Sequence, residues 1–484
     1  MDIDEFRKRG KEMVDYIADY WENIRQRRVY PDVKPGYLRK CIPEEAPEKA
    51  EPWEKIMEDF EQHIMKGVAH TQSPHMHGYA VMSSGASVLG DMLANSMNCM
   101  SFAWETSPAC TELEVVVTNW LGKMVGLPSE FLNTAEESKG GGVLQNTTSE
   151  ATLLTLLSSR RQALSRLTVT LGNVDEARLS SFLVAYCSDQ AHSSVTKACR
   201  ISSVRLHTVQ SDEQFCLRGS KLATAIQMDR EAGLIPFYLC ATLGTTFSCS
   251  FDNLEELGPI CMKENIWIHV DAAYAGSTFV CPEYRHWMAG IQYVDSFVFL
   301  PCKLLLVNFY SCAMWVKDTS VIEKTLATKQ AYTGEKKSGY QIDYMNQQIS
   351  LSREFHSLKL WFVMRSYGAE GLQEHIRKVA RLGSQFEALV RSDARFEVLA
   401  SCGLGVVVFR LEGDNSLTES FLLELNSAGR TFCGKAVLRG LSAVRFMIAT
   451  RCTTYNDLLY DWDQMQCTAT QLLYKHKKYS QLPK

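Results

Sequence analysis

Hydrophobic positions recur along this chain with two periods, and the change from one to the other divides it. Near the start, Phe6, Met13, Val14, Ile17, Trp21 and Ile24 fall at helical spacing with charges between them, which predicts an amphipathic helix. The stripe stops before "YPDVKPGY", where two prolines and a glycine break it. "EEAPEKAEPWEKIMEDFEQHIM" then reads as a loop followed by a second amphipathic helix. In the middle, short continuous apolar runs alternate with helical patterns. The runs are "SFLVAYCSDQ" (181–190), "IPFYLCATLGTT" (235–246), "IWIHVDAAYAG" (266–276) and "DSFVFL" (295–300), and "FDNLEELGPICMKEN" (251–265) between two of them has helical spacing. Such alternation predicts an α/β fold with a mainly parallel sheet covered by helices. After residue 350 a long helical stretch, "SLKLWFVMRSYGAEGLQEHIRKVARLGSQFEALVRS", precedes the strand-like "FEVLASCGLGVVVFRL" and "SAVRFMIATR", which predicts a separate α+β domain. The expected organisation is an N-terminal helical segment over 1–85, a large α/β domain over 86–350 and a small C-terminal α+β domain over 351–484.

Composition narrows the class. The chain has 484 residues, 46% hydrophobic and 22% charged, an ordinary balance for a globular protein of two or three domains. A formal net charge of −4 gives no electrostatic reason to expect a nucleic-acid partner. No apolar run is long and clean enough to span a bilayer, and "MDIDEFRKRGKEMVDYI" lacks a signal-peptide core, so a cytoplasmic protein without membrane contact is expected. The sixteen cysteines are scattered and read as reduced thiols. His70, His75 and His77 have no cysteine or carboxylate at suitable spacing beside them, so no metal is expected there.

In parallel sheets, ligands collect at the carboxyl ends of strands. "SFVFLPCKLLLVNF" places Lys303, its only charged residue, just past such an end. A lysine there either lies along apolar surface with its head in water or serves chemistry such as Schiff-base formation. "HVDAAYAG" ends a buried strand with Asp271, which suits a turn cap, a base, a metal ligand or the partner of a cationic ring nitrogen. The small Ala272 and Ala273 beside it let something flat approach the backbone. In "GGGVLQNTTSEATLLTLL", Thr147, Thr148 and Ser149 open an apolar helix, either with Ser149 or Thr148 as a plain cap or as a phosphate site. His192 follows one strand, and Thr245 and Thr246 another. Together these are the parts that pyridoxal phosphate requires: a Schiff-base lysine, a carboxylate for the pyridine nitrogen and a phosphate cup.

The chain also resembles the aromatic L-amino acid decarboxylase family, which includes histidine and tyrosine decarboxylases. The stretches that carry the resemblance are "RGKEMVDYI", "PDVKPGYLR", "SPACTELE", "SDQAHSSV", "ATLGTT", "HVDAAYAGS" and "SLKLWFV", in order over nearly the whole chain. The resemblance implies a fold-type I homodimer that uses pyridoxal phosphate, with its active site shared between subunits. It places the Schiff-base lysine at Lys303, the pyridinium partner at Asp271 and the ring-stacking residue at His192. Ala273, Thr246, Thr147, Thr148 and Ser149 would bind the cofactor or its phosphate. A catalytic loop would span 326–340, with Tyr332 as proton donor. Tyr79, Met82, Phe102 and Ser352 would face the substrate, Phe102 within "SFAWETSPA" (101–109) reaching the other subunit's pocket. The implied activity is decarboxylation of an aromatic or imidazole L-amino acid to its amine. The alternatives are a catalytically impaired dimeric paralogue with a binding or regulatory role and an aldehyde-forming synthase.

Several residues depart from the family's pattern. Leu300-Pro301-Cys302-Lys303-Leu304 stands where relatives usually have Asn-Pro-His-Lys-Trp, so the hydrogen bond that Asn offers the phosphate is absent. One such bond to a charged group is worth about 1.5–3 kcal/mol, roughly ten- to hundredfold in affinity. Asn146-Thr147-Thr148-Ser149 replaces a Gly-Ser/Thr-Ala-Ser cup, and Thr71 replaces a usual Trp. Ser352 matches histidine- and tyrosine-type members rather than the dopa-type Gly, and Glu354 stands in place of Arg.

Overall fold

Apolar runs bounded by turn residues become strands here, and helical stripes become the helices that cover them. The structure, a computed structural model, describes residues 1–172, 174–326, 341–401 and 403–480. In chain order the first strands are β1 (Met76–His77), β2 (Gly141–Gln145), β3 (Leu183–Ser188), β4 (Arg205–Val209), β5 (Ile235–Thr242) and β6 (Trp267–Asp271). The others are β7 (Ser296–Phe299), β8 (Cys312–Val316), β9 (Phe396–Ser401), β10 (Val406–Leu411), β11 (Phe432–Leu438) and β12 (Leu441–Met447). The helices begin with α1 (Ile3–Glu22), α2 (Trp53–Asp59), α3 (Gly85–Met97), α4 (Pro108–Val125), α5 (Thr148–Leu171), α6 (Glu176–Ser180) and α7 (Ser193–Ile201). They continue with α8 (Gly219–Glu231), α9 (Leu254–Glu264), α10 (Pro301–Leu304), α11 (Thr319–Leu326), α12 (His356–Arg391), α13 (Asn415–Ala428) and α14 (Tyr455–Ser480).

The chain divides into two units, Met82–Arg381 and the combination of Met1–Val81 with Leu382–Lys484. The divisions fall at 81/82 and 381/382, against the expected 85/86 and 350/351. The second falls inside α12, which runs on past residue 381 and is interrupted by Gly368 at φ +63°.

The larger unit is built on a seven-stranded sheet of order β2-β8-β7-β6-β5-β3-β4. The neighbours from β7 through β6, β5, β3 and β4 pair in parallel, whereas β8 runs antiparallel to both β7 and β2. It follows that β2 points the same way as β7, and every strand but β8 ends at one edge of the sheet. Residues of β3, β6 and β7 are buried throughout, as continuous apolar strands require. One core cluster joins Ala151, Leu154 and Leu164 of α5 and Val195 and Ala198 of α7 to Val143, Ala185, Val298 and Met314 of the sheet. Each Leu or Val side chain so removed from water contributes about 1.5–3 kcal/mol.

The smaller unit holds a five-stranded sheet of order β1-β11-β12-β10-β9. Four of its strands are antiparallel, and the short β1 joins β11 in parallel. With α13 and α14 it is the α+β arrangement expected of the C-terminal region. The predicted N-terminal helix forms as α1, yet none of its residues is buried, and Phe6 and Val14 of its apolar stripe are exposed.

Candidate active site

At the shared edge of the larger sheet, β6 ends in Asp271 between Thr242 of β5 and Val298 of β7. Asp271 is buried, and its Oδ1 accepts the Ala273 N–H at 2.9 Å, which turns the chain sharply after the strand. The Ala272 N–H donates to Val298 O at 2.9 Å and the Leu300 N–H to Ala273 O at 3.2 Å. The Asp271 turn and the segment that leads to Lys303 are therefore stitched together.

Lys303 sits on the one-turn α10. Proline at its first position favours helical φ, and the Leu305 N–H closes the turn on Pro301 O at 2.7 Å. Pro301, Cys302 and Leu304 are buried, while Lys303 is half-buried, so the turn presents the lysine alone. Leu300 caps this helix without any side-chain hydrogen bond and packs instead against the sheet core. Burial pushes the Cys302 thiol up to about 11, with the nearby Lys303 and Lys359 cations opposing.

Two helix starts face the same edge. The Thr147 Oγ1 caps α5 by accepting the Glu150 N–H at 3.2 Å. The first-turn N–H groups at Thr148 and Ser149 have no acceptor within a helix, and the helix dipole makes that end attractive to an anion. His192 caps α7, its Nδ1 accepting the Ser194 N–H at 3.2 Å. The imidazole is exposed. After β5, Gly244 turns at φ +84°, where a side-chain Cβ would lie 2.6 Å from that of Ala275. The Thr245 hydroxyl is buried in bonds to Ser248 Oγ at 2.8 Å and the Ser250 N–H at 2.9 Å, while Thr246 next to it is half-buried.

The expected substrate-side residues are distributed differently. Phe102 is strapped to the stretch 343–354: the Met345 N–H donates to Phe102 O at 2.9 Å and the Ser101 N–H to Arg353 O at 3.2 Å. Ser352 is exposed beside that strap. Met82 is fully buried, its N–H donating to Cys302 O at 2.8 Å and its sulfur lying 3.0 Å from His375 Nε2. Tyr79 belongs to the smaller unit, is 53% exposed and stacks on Phe432. Tyr332 and the loop from 327 to 340 lie outside the described residues.

One buried pair escaped the sequence reading. Arg353 is ion-paired with Glu114 of α4, bonds Gln348 Oε1 at 2.5 Å and lies over the Tyr344 ring. Burial raises the Glu114 pKa against the opposing pull of Arg353, and its Oε1 also accepts the Leu144 N–H of β2 at 2.7 Å. The signal was a carboxylate inside the otherwise apolar "LEVVV" and an arginine beside Ser352, but nothing local linked them.

The donor set suits a flat, phosphate-bearing pyridine: a buried carboxylate, a presented lysine, small alanines, and N–H and hydroxyl donors at a helix start. Among the described residues no cluster of His, Cys, Asp or Glu could hold a metal ion.

Residues 35–412 match the model of the pyridoxal-dependent decarboxylase conserved domain. The chain is 52% identical to a histidine decarboxylase of Drosophila melanogaster over 98% of its own length and 56% of that relative's, so it spans little more than half of that protein. It is 49% identical to an aromatic-L-amino-acid decarboxylase of Bos taurus over 98% of each chain. Among solved structures it is similar to Catharanthus roseus tryptophan decarboxylase in complex with L-tryptophan, with a TM-score of 0.91, 36% identity and coverage of 98% of this chain and 99% of that one.

Proposed function

The chain belongs to the pyridoxal-dependent decarboxylase family, and from that premise we propose that it converts an aromatic or imidazole L-amino acid to the amine and carbon dioxide. It is a lyase that uses pyridoxal phosphate. When bound, pyridoxal phosphate supplies a sink for the electron pair left on the α-carbon as the carboxyl group departs.

The chain's own residues do the rest. Lys303 would hold the cofactor through its side-chain nitrogen. Asp271 would pair with the ring nitrogen and keep a proton there, stabilising charge that develops in the transition state. The α5 start, with Thr147, Thr148 and Ser149, would take the phosphate, and Thr246, Ala273 and His192 would contact the ring. Phe102 and Ser352 orient the substrate, and Tyr332 delivers the proton to the α-carbon. The observation that carries this reading is the half-buried Lys303, presented by an otherwise buried turn that is hydrogen-bonded to the Asp271 turn.

Two further features follow from the same reading. The protein works as a homodimer, supported by exposed Leu89, Met92, Leu93 and Met97 along α3 and by exposed Phe6 and Val14 of α1. It resides in the cytoplasm, supported by thiols such as Cys110, Cys187 and Cys240 that are not in disulfides.

Purified protein with added cofactor, given L-histidine, L-dopa, 5-hydroxy-L-tryptophan, L-tyrosine and L-tryptophan, tests the proposal. Ser352 puts L-histidine first in the panel. Carbon dioxide and an amine from at least one are expected, and Lys303→Ala should lower turnover by a factor on the order of a thousand or more and remove the cofactor's visible band. No carbon dioxide from any substrate overturns the reading, and aldehyde with hydrogen peroxide in place of amine replaces it with a synthase.

A further inference from the structure

Beyond Lys303 the chain runs through Leu305–Tyr310 without regular structure, yet two non-glycine residues there adopt left-handed backbone, Leu306 at φ +61° and Tyr310 at φ +60°. Such conformations persist where surrounding bonds over-determine them. Here the bonds come from α3 and α12. The Ser84 hydroxyl, which caps α3, donates to Leu306 O at 2.8 Å. The Asn308 N–H donates to Ser87 Oγ at 2.8 Å, and the Asn308 side chain bonds Ser83 and donates to Asp91 Oδ2 at 3.2 Å. Lys359 of α12 completes the arrangement. Its Nζ lies 3.0 Å from Asp91 Oδ1 and donates to Phe309 O at 2.7 Å.

Lys359 is held in a narrow space. Its side chain is 4% exposed. At Gly90, next to Asp91, a Cβ would come within 2.7 Å of the Lys359 Cα, so α3 and α12 approach as closely as they do only over a glycine. Burying an ammonium is costly, and a well-packed apolar residue would hold two helices together at least as well. What an apolar residue cannot do is donate to a backbone carbonyl and a carboxylate at once.

We propose that Lys359 and Asp91 are positioning residues that fix the backbone downstream of Lys303, and through it the aim of that lysine. The assignment rests on Lys303 being the cofactor lysine. Lys359 acts by locking Asn308 and Phe309, which lets α10 present Lys303 in one orientation.

The test uses the full chain, loaded with pyridoxal phosphate and again without it. Lys359→Met and Asp91→Asn should each lower kcat tenfold or more, with KM for the amino acid within threefold and a shifted visible absorbance maximum. Amide hydrogen exchange over 304–310 should accelerate at least tenfold in the unloaded protein while that of β6 stays unchanged, and Lys359→Arg should recover a third or more of kcat. A Lys359→Met protein with kcat and exchange within twofold of the parent overturns the proposal. So does faster exchange spread evenly over the larger unit, which marks lost stability alone. Where Lys359→Met does not fold, Ser84→Ala and Asn308→Ala are read the same way, and unchanged kcat and exchange in both overturn the proposal. Lys303→Ala separates the premise: if it keeps the visible band and turnover, the reading of the active site fails, whereas the exchange result stands by itself.

Discussion

Asp252 in the larger unit and Asp461 in the smaller are both buried, yet their proton affinities move in opposite directions. Burial dominates at Asp252 and raises its pKa to about 6 against two backbone donors, the Thr242 N–H at 2.7 Å and the Leu217 N–H at 2.9 Å. Burial also pushes Asp461 up, but His77 at 2.8 Å and His75 at 2.9 Å more than offset it and hold the carboxyl below its ordinary range. His77 bridges Asp461 and Met447 O, its Nδ1 lying 2.8 Å from the carbonyl. The lesson is that the kind of partner decides whether a buried carboxylate strains a fold or braces it. Neutral N–H groups orient the charge of Asp252 without balancing it, whereas the histidines do both.

The largest effect should come from Asp461→Asn. It leaves two buried histidines without their counter-charge, a loss of about 3–5 kcal/mol in chemical denaturation. Asp252→Asn removes one backbone bond and a poorly solvated charge together, so a cost of only about 1 kcal/mol is expected at neutral pH. Equal costs for the two would break the comparison.

Acid sharpens it. The Asp252 pKa is raised in the folded state, so its contribution to stability is fully present below the ordinary carboxylate pKa of about 4 and is lost as pH rises through about 6. The Asp461 pKa is lowered, so its contribution is present above that ordinary value and is lost as pH falls through the folded one. Hydrogen exchange followed from pH 7 to pH 3 should show the smaller unit opening first, below about pH 4. In Asp252→Asn, the pH dependence of the larger unit's stability between about 4 and 6 should lessen, with the part due to Asp295, which burial also raises to about 6, remaining.

The same question of partners extends to a helix cap. Thr147, His192 and Asn253 each cap their helices with a side chain, whereas Leu300 does not. Leu300→Asn should tighten pyridoxal phosphate about tenfold in an equilibrium titration, the worth of one added bond to the phosphate. No change would mean that the α5 start alone satisfies the phosphate.

Much of the active-site edge was legible from local pattern. The run 266–271 reads as a buried strand, and β6 ends on Asp271 as that pattern requires. The helical spacing of 251–265 became α9, and the long stripe after 356 became α12. The α5 start and the Lys303 turn lie where the sequence puts them, although the cap is Thr147 rather than the expected Thr148 or Ser149, since strand ends and proline-started turns depend on a few neighbouring residues.

What the sequence by itself determined is therefore the set of elements and the chemistry at their ends. Only the tertiary structure decided which ends meet. The antiparallel β8 inserted between β2 and β7 carries no local mark, because an apolar strand reads the same in either direction. The parallel pairing of β1 with β11 and the bond from His77 to Asp461 join residues more than 350 apart in the chain. The Lys359–Asp91 and Arg353–Glu114 pairs likewise join charges from distant stretches of the chain, each costly to bury alone. Periodicity reports which face of an element is buried, and the partner that makes a buried charge tolerable is fixed by packing over long range.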